Sequence, residues 1–83
     1  MKLGIYQHYK GKFYQVIGTA LHTETLEEVV VYQSLYEPFS LWVRPSAMFE
    51  ETITFNSTLM KRFQYISPGM TKPENALRKT DKI

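Results

Sequence analysis

The residues with the clearest chemical potential lie in one short segment that holds the chain's single tryptophan and an arginine two positions later. Successive side chains of an extended strand point to opposite faces, so Trp42 and Arg44 share one face. This pair could stack on a planar group and bind a carboxylate or phosphate. The opposite face carries Phe39, Leu41 and Val43, which we expect to pack in the core.

The two histidines are the side chains that titrate nearest to neutral pH. His22 precedes Glu24 by two residues, and this pair could serve a small hydrolase or transferase. A tight Lys10-Gly11 turn would pair positions whose numbers sum to about 21, which places His8 near Phe13 and far from His22. A metal site built from both histidines would need the loop to fold back, so the sequence indicates neither a metal nor a cofactor. The plainer interpretation is that His22 hydrogen-bonds its own loop and that His8 joins an aromatic surface.

Motifs of nucleophilic, nucleotide and acid/base chemistry give little support for an enzyme. The chain contains no Gly-x-Ser-x-Gly elbow, no phosphate-binding glycine loop and no dinucleotide fingerprint. Neighbouring carboxylates occur at Glu27-Glu28 and Glu50-Glu51, but adjacent residues on a strand point to opposite faces. We therefore assign no catalytic residue and expect a non-catalytic binding module.

Tyrosines, which combine a large apolar ring with a polar tip, are the positive signal for binding. We expect a site for an anionic or aromatic small molecule or a peptide, formed by Tyr14, His22, Tyr32, Trp42 and Arg44. The alternative is purely structural. In that interpretation Arg44 pairs with Glu27, Glu28 or Glu50, and the tyrosines fill a small core.

Charge and composition limit the class of partner. The net charge is +2, but residues 1–66 hold six basic and six acidic groups, so the excess lies in residues 67–83. The zero net charge of residues 1–66 argues against nucleic acid as a partner. Weak binding of single-stranded nucleic acid, by stacking of its bases on aromatic side chains, is a further alternative. The absence of cysteine and of a long apolar run predicts a cytoplasmic protein without a membrane segment. A chain of 83 residues also leaves room for a homodimer.

Runs of aromatic and β-branched residues, broken by turn signals, predict an all-β domain over residues 1–66. We expect five to six strands with one short helical turn at residues 45–49, arranged as a small, strongly bent antiparallel sheet or a partly open SH3-like barrel. Strands are expected at 4–10, 12–21, 28–36, 39–44, 51–55 and 62–66. Residues 67–83 form a C-terminal extension that we expect to be a marginal helix or disordered.

Several motifs, in order and closely spaced, resemble the bacterial family known as domain of unknown function 1653. They are Tyr6-Gln7-His8-Tyr9-Lys10-Gly11, Tyr14-x-Val16, Ala20-x-His22-x-Glu24-Thr25-Leu26-Glu27, Val31-Tyr32, Leu41-Trp42-Val43-Arg44-Pro45-x-x-Met48-Phe49 and Arg62-Phe63. The resemblance spans residues 4–66 and implies a small bacterial cytoplasmic protein. It places Trp42 and Arg44 among the characteristic positions of the family. The sequence departs from the family pattern at Glu37-Pro38-Phe39-Ser40, where a turn rich in glycine and aspartate is usual.

Overall fold

The computed structural model describes residues 1–69, which form seven strands and one short helix. The elements are β1 (Gly4–His8), β2 (Phe13–Leu21), β3 (Glu28–Ser34), β4 (Leu41–Pro45), α1 (Ser46–Phe49), β5 (Thr52–Phe55), β6 (Thr58–Lys61) and β7 (Phe63–Ser67). The prediction of an all-β antiparallel fold with one helical turn is confirmed. The predicted extension is described only as far as residue 69, and the prediction of a helix or disorder beyond it lies outside the described residues.

Five strands make one antiparallel sheet in the order β4-β3-β2-β1-β7, and β5 pairs with β6 in a separate hairpin. Within residues 1–69, the larger sheet does not close into a barrel, because β4 and β7 remain at its two edges. The first hairpin pairs Tyr6 with Tyr14, so paired numbers sum to 20 instead of the expected 21. In this register Gln7 lies opposite Phe13 and the His8 N–H donates to the Lys12 carbonyl at 2.8 Å, so His8 lies one position from the partner that the sequence predicted.

Turn residues with positive φ set the hairpin ends. Gly11 adopts φ 111° between β1 and β2, a value that a residue with a Cβ rarely accepts. Asn56 and Ser57 adopt φ 53° and 63°, which forms the two-residue hairpin loop between β5 and β6. The sequence analysis left residues 56–61 outside its predicted strands and so missed β6, because Asn-Ser is a weaker hairpin signal than Asn-Gly.

The core is an aromatic cluster on one face of the larger sheet. The buried members are Tyr6, Val16, Val30, Tyr32, Phe49 and Phe63. Phe49, the single buried residue of α1, stacks on Phe63 of β7 with ring centroids 4.1 Å apart and an interplanar angle of 5°. The short helix therefore serves to bring one aromatic ring onto the sheet.

The predicted orientation of β4 was wrong. Leu41 and Val43 are 64% and 65% exposed, and Phe39 before them is 49% exposed. Trp42 and Arg44 pair across β3 with Tyr32 and Val30, which are core residues, so they lie on the core face. Alternation in the sequence shows which side chains of a strand share a face. The hydrophobicity of those side chains alone does not show which of the two faces packs against the core.

The four-residue α1 is far shorter than the roughly 20 residues that a membrane-crossing helix needs. No helix in this part of the chain is long and apolar enough to cross a membrane.

Candidate functional site

A cavity of about 270 Å³ opens on the core face of the sheet, beside the edge strand β4. We call it the Arg44 cavity. It is lined by His8, Tyr14, Tyr32, Tyr36, Trp42, Arg44 and Phe63. Four of the five predicted site residues therefore lie together, and His22 is the exception.

Cross-strand register explains why these side chains meet. Tyr14 of β2 lies opposite Ser34 of β3, and Tyr32 lies opposite Trp42 of β4. Directly opposed residues point to the same face of an antiparallel sheet, and residues two apart on a strand share that face. Arg44, two positions after Trp42, completes the row along the sheet edge.

Arg44 supplies the positive charge of the cavity. Its side chain is half-buried, its Nε donates to the Tyr32 hydroxyl at 3.3 Å, and its guanidinium carbon lies 5.7 Å from the centre of the Phe63 ring. Among residues 1–69 its guanidinium forms no salt bridge, whereas Arg62 pairs with Glu51 at 2.9 Å. The alternative in which Arg44 pairs with Glu27, Glu28 or Glu50 is therefore wrong for the described part of the chain.

Trp42 is fixed by one hydrogen bond of its indole and remains about half exposed. The indole Nε1 donates to the Ser34 hydroxyl oxygen at 2.8 Å, and Ser34 is only 1% exposed. Trp42 itself is 49% exposed, so the ring is not a core residue. A single buried hydrogen bond fixes the orientation of the indole while its surface stays available for stacking.

Two tyrosine hydroxyls form the far side of the cavity. The hydroxyl oxygens of Tyr14 and Tyr36 are 2.6 Å apart. Burial, followed by the hydrogen bond to Tyr36, raises the pKa of Tyr14 to about 12. The hydrogen bond from Tyr14, followed by one from Ser34, lowers the pKa of Tyr36. The opposite directions of these two pKa shifts favour Tyr14 as the donor of the pair, because its own proton is the harder one to remove.

His8 adds a neutral donor. Its ring packs edge-on against Phe63 with centroids 4.9 Å apart, and its Nδ1 accepts a hydrogen bond from the Lys10 backbone N–H at 3.1 Å. Burial lowers the pKa of His8, and the nearby charges of Arg44 and Arg62 lower it further. The imidazole is therefore neutral at pH 7, and because Nδ1 accepts, Nε2 carries the proton.

His22 lies at the opposite end of the β2–β3 hairpin and does not reach the cavity. Its Nδ1 accepts hydrogen bonds from the backbone N–H groups of Glu24 at 3.1 Å and Thr25 at 3.3 Å. Both His22 and Glu24 are exposed. His22 therefore stabilises its own turn. Across residues 1–69 no group of three or more His, Cys, Asp or Glu side chains is placed to hold a metal ion.

Three lining residues were not named in the sequence-based prediction of the site. Tyr36 follows Ser34 by two residues, so alternation could have placed it on the cavity face. His8 and Phe63 face each other across the β1–β7 pairing. That pairing joins the two ends of the domain and leaves no local pattern in the sequence.

A second cavity, of about 260 Å³, also has Phe63 in its wall. We call it the Tyr65 cavity. It is lined by Met1, Lys2, Tyr6, Phe49, Glu50, Lys61, Phe63, Gln64 and Tyr65. The Lys2 ammonium nitrogen lies 4.7 Å from the centre of the Tyr65 ring, and the Lys61 ammonium donates to the Glu50 carbonyl at 3.2 Å. Both lysines thus have partners within residues 1–69, and this cavity is also lined by an acidic residue, Glu50, whereas no acidic residue of that range lines the Arg44 cavity.

The Arg44 cavity combines a cation that has no acidic partner among residues 1–69 with neutral hydrogen-bonding groups and flat aromatic surfaces. The terminal nitrogens of Arg44 can bind two oxygens of a planar anion, because its Nε is already engaged by Tyr32. The Trp42 ring stands two residues away on the same face. A volume of about 270 Å³ accommodates a single substituted ring or one to two amino-acid side chains.

The comparisons with known proteins agree with the resemblance found in the sequence. A crystal structure of a DUF1653 protein from Bordetella bronchiseptica is similar, with a TM-score of 0.76 and 35% sequence identity over 81% of this chain and 88% of that chain. No curated protein matches the chain. The family model described as Protein of unknown function (DUF1653) matches residues 4–65, and the chain therefore belongs to this family.

Proposed function

We propose that this domain is a non-catalytic binding module, and that the Arg44 cavity holds the anionic group of a small molecule or peptide beside the Trp42 ring. One observation carries the proposal: within residues 1–69, Arg44 is half-buried at a cavity wall and has no acidic partner. Partial burial of a cation costs solvation energy, which a carboxylate or phosphate ligand would offset.

The surroundings of Arg44 favour an anion over a cation or a neutral solute. His8 is neutral at pH 7 and adds an Nε2 donor, and Lys12 lies near the rim, 4.4 Å from the centre of the Tyr36 ring. None of the side chains from residues 1–69 that line the cavity is acidic. The aromatic rings then favour a ligand whose anionic group is attached to a flat or apolar part.

Fluorescence of the single tryptophan provides a direct test, because Trp42 lines the cavity and is half exposed. Benzoate and phenyl phosphate serve as anionic probes, and benzamide serves as the neutral match for benzoate. We expect saturable changes of Trp42 emission with one or both anions and a weaker response with benzamide. A charge-assisted hydrogen bond contributes about 1.5–3 kcal/mol, so Arg44→Gln should weaken anion binding about ten- to hundredfold.

Arg62→Gln is the matched control, because it removes the other half-buried arginine of residues 1–69, which is paired with Glu51. This variant should bind the probes as the wild type does. Equal affinities of wild type and Arg44→Gln for both anions, in folded proteins, would contradict the proposal.

A further inference from the structure

The backbone of the edge strand β4 has hydrogen-bonding groups that no other strand of residues 1–69 uses. β4 is the terminal strand of its sheet and pairs only with β3 in this part of the chain. The Ser34 N–H donates to the Ser40 carbonyl at 2.9 Å, in the register that continues along β4. In an antiparallel pair, residues that bond to the neighbouring strand alternate with residues that do not. Because Ser40 bonds to β3, Trp42 and Arg44, which are two and four positions later, also direct their backbone groups toward β3.

Leu41 and Val43 consequently direct their N–H and C=O groups away from the sheet. Their side chains are 64% and 65% exposed on the opposite face from the cavity. We call the alternate positions Leu41, Val43 and Pro45 the outward row. Pro45 has no N–H group, and proline is tolerated at such a position of an edge strand. The outward row thus presents two consecutive donor and acceptor sites flanked by apolar side chains.

Edge strands are commonly protected by lysine, by proline, by inward charges, by bulges or by a covering element. In β4 the proline and the inward charge are Pro45 and Arg44, both at the end of the strand, so Leu41 and Val43 have no such protection of their own. The residues Leu41-Trp42-Val43 carry no charge, and the β3–β4 pairing contains no register shift. The one charge on β4 is Arg44, which lies at the cavity and lacks an acidic partner among residues 1–69. An open apolar edge and an uncompensated cation therefore occur on the same five-residue strand.

We propose that β4 accepts an extended peptide as an additional antiparallel strand, with an acidic side chain of the peptide bound to Arg44. This inference rests on the proposed anion site and names the class of its ligand. A peptide residue opposite Val43 would exchange backbone hydrogen bonds with it, and the preceding residue would lie opposite Arg44 on the cavity face. Neighbouring strands are about 4.8 Å apart, so a glutamate at that preceding position reaches the guanidinium.

The test uses the synthetic peptide acetyl-Thr-Glu-Val-Thr-Val-amide and two N-methylated forms of it. Methylation of the first valine removes the donor that faces Val43, whereas methylation of the glutamate alters an N–H that faces away. We expect the valine-methylated peptide to bind at least about tenfold more weakly than the parent, and the glutamate-methylated peptide to bind as the parent does. Hydrogen exchange at the Leu41 and Val43 amides should slow when the parent peptide binds.

The variant Val43→Pro provides the reciprocal change in the protein. It removes an outward N–H, while the side chain it replaces is 65% exposed, so the domain should fold. The variant should lose peptide binding and keep the benzoate or phenyl phosphate response at Arg44. If it fails to fold, the pair of methylated peptides decides the matter on the unaltered protein.

The remaining outcomes separate this inference from the proposed function. If the small anions bind but the parent peptide does not, or if both methylated peptides bind equally, strand addition is wrong and the anion site stands. If no anionic probe binds, both proposals fail. A dimer in solution that Val43→Pro dissociates would show that a second copy occupies this edge, which would overturn the peptide proposal.

Discussion

Replacing Arg44 by methionine should change the stability of the domain very little. The variant loses one hydrogen bond, from Nε to the Tyr32 hydroxyl, and at 3.3 Å this bond is long. It also leaves the hydroxyl of Tyr32, a residue that is 5% exposed, without that donor, so about 1 kcal/mol could be lost. Methionine keeps the apolar packing of the arginine stem and removes a half-buried charge that has no acidic partner within residues 1–69. These effects oppose each other, and we expect a net change within about 1 kcal/mol.

Urea denaturation followed by far-ultraviolet circular dichroism measures this change without relying on Trp42, whose emission depends on its neighbour. Small domains have slopes near 1 kcal/mol per molar urea, so the midpoint should move by about 1 M or less. Phe63→Ala is the reference for a structural residue. Phe63 is 4% exposed and stacks on Phe49, and its truncation should cost about 3–5 kcal/mol.

A loss in Arg44→Met that approaches the loss in Phe63→Ala would refute the reasoning. It would mean that the guanidinium holds the aromatic cluster together, and that its position at a cavity is incidental. Unchanged stability together with lost anion binding would instead separate the binding role of Arg44 from the fold.

Two further predictions concern titration. Because burial and nearby cations hold the pKa of His8 below 6.5, the unfolded state binds more protons just below that pH. The free energy of unfolding should therefore fall as pH drops through about 6.5, and His8→Gln should lessen this fall; an identical pH slope in urea denaturation would contradict it. Tyr14→Phe should remove the tyrosine that ionises near pH 12 and raise the pKa of Tyr36, since Tyr36 loses its donor. Ultraviolet absorbance titration measures both effects, and an unaltered Tyr36 ionisation would show that the hydroxyls are not bonded in solution.

Local patterns were sufficient to predict most of the fold. Clusters of aromatic and β-branched residues located six of the seven strands, and the Lys10-Gly11 turn gave the first register to within one residue. Proline followed by Ala47, Met48 and Phe49 correctly indicated α1. The strand Thr58–Lys61 was missed because its hairpin loop has Asn56 and Ser57, not glycine, at positive φ. The pairing of β5 with β6 stabilises this backbone conformation, and the loop sequence alone does not indicate it.

The candidate site was predictable where it depends on neighbouring strands. Alternation paired Trp42 with Arg44, and the tyrosines of β2 and β3 were recognised by their chemistry. The β1–β7 pairing joins distant parts of the chain and places Phe63 beside His8. Local patterns in the sequence therefore indicate neither the position of Phe63 nor the face of the sheet that the core covers. His22 was grouped with the site on chemical type alone, and the length of the β2–β3 hairpin separates it from the cavity.

Phe63 borders both the Arg44 cavity and the Tyr65 cavity, so one ring contributes to the walls of both. A smaller side chain at this position would enlarge both cavities, which are of similar size, and would weaken the stacked pair with Phe49. The capacity of each cavity is not free to change alone at this position. A change in the size of one cavity alone would therefore have to be made at its rim, while the Phe63 ring is kept.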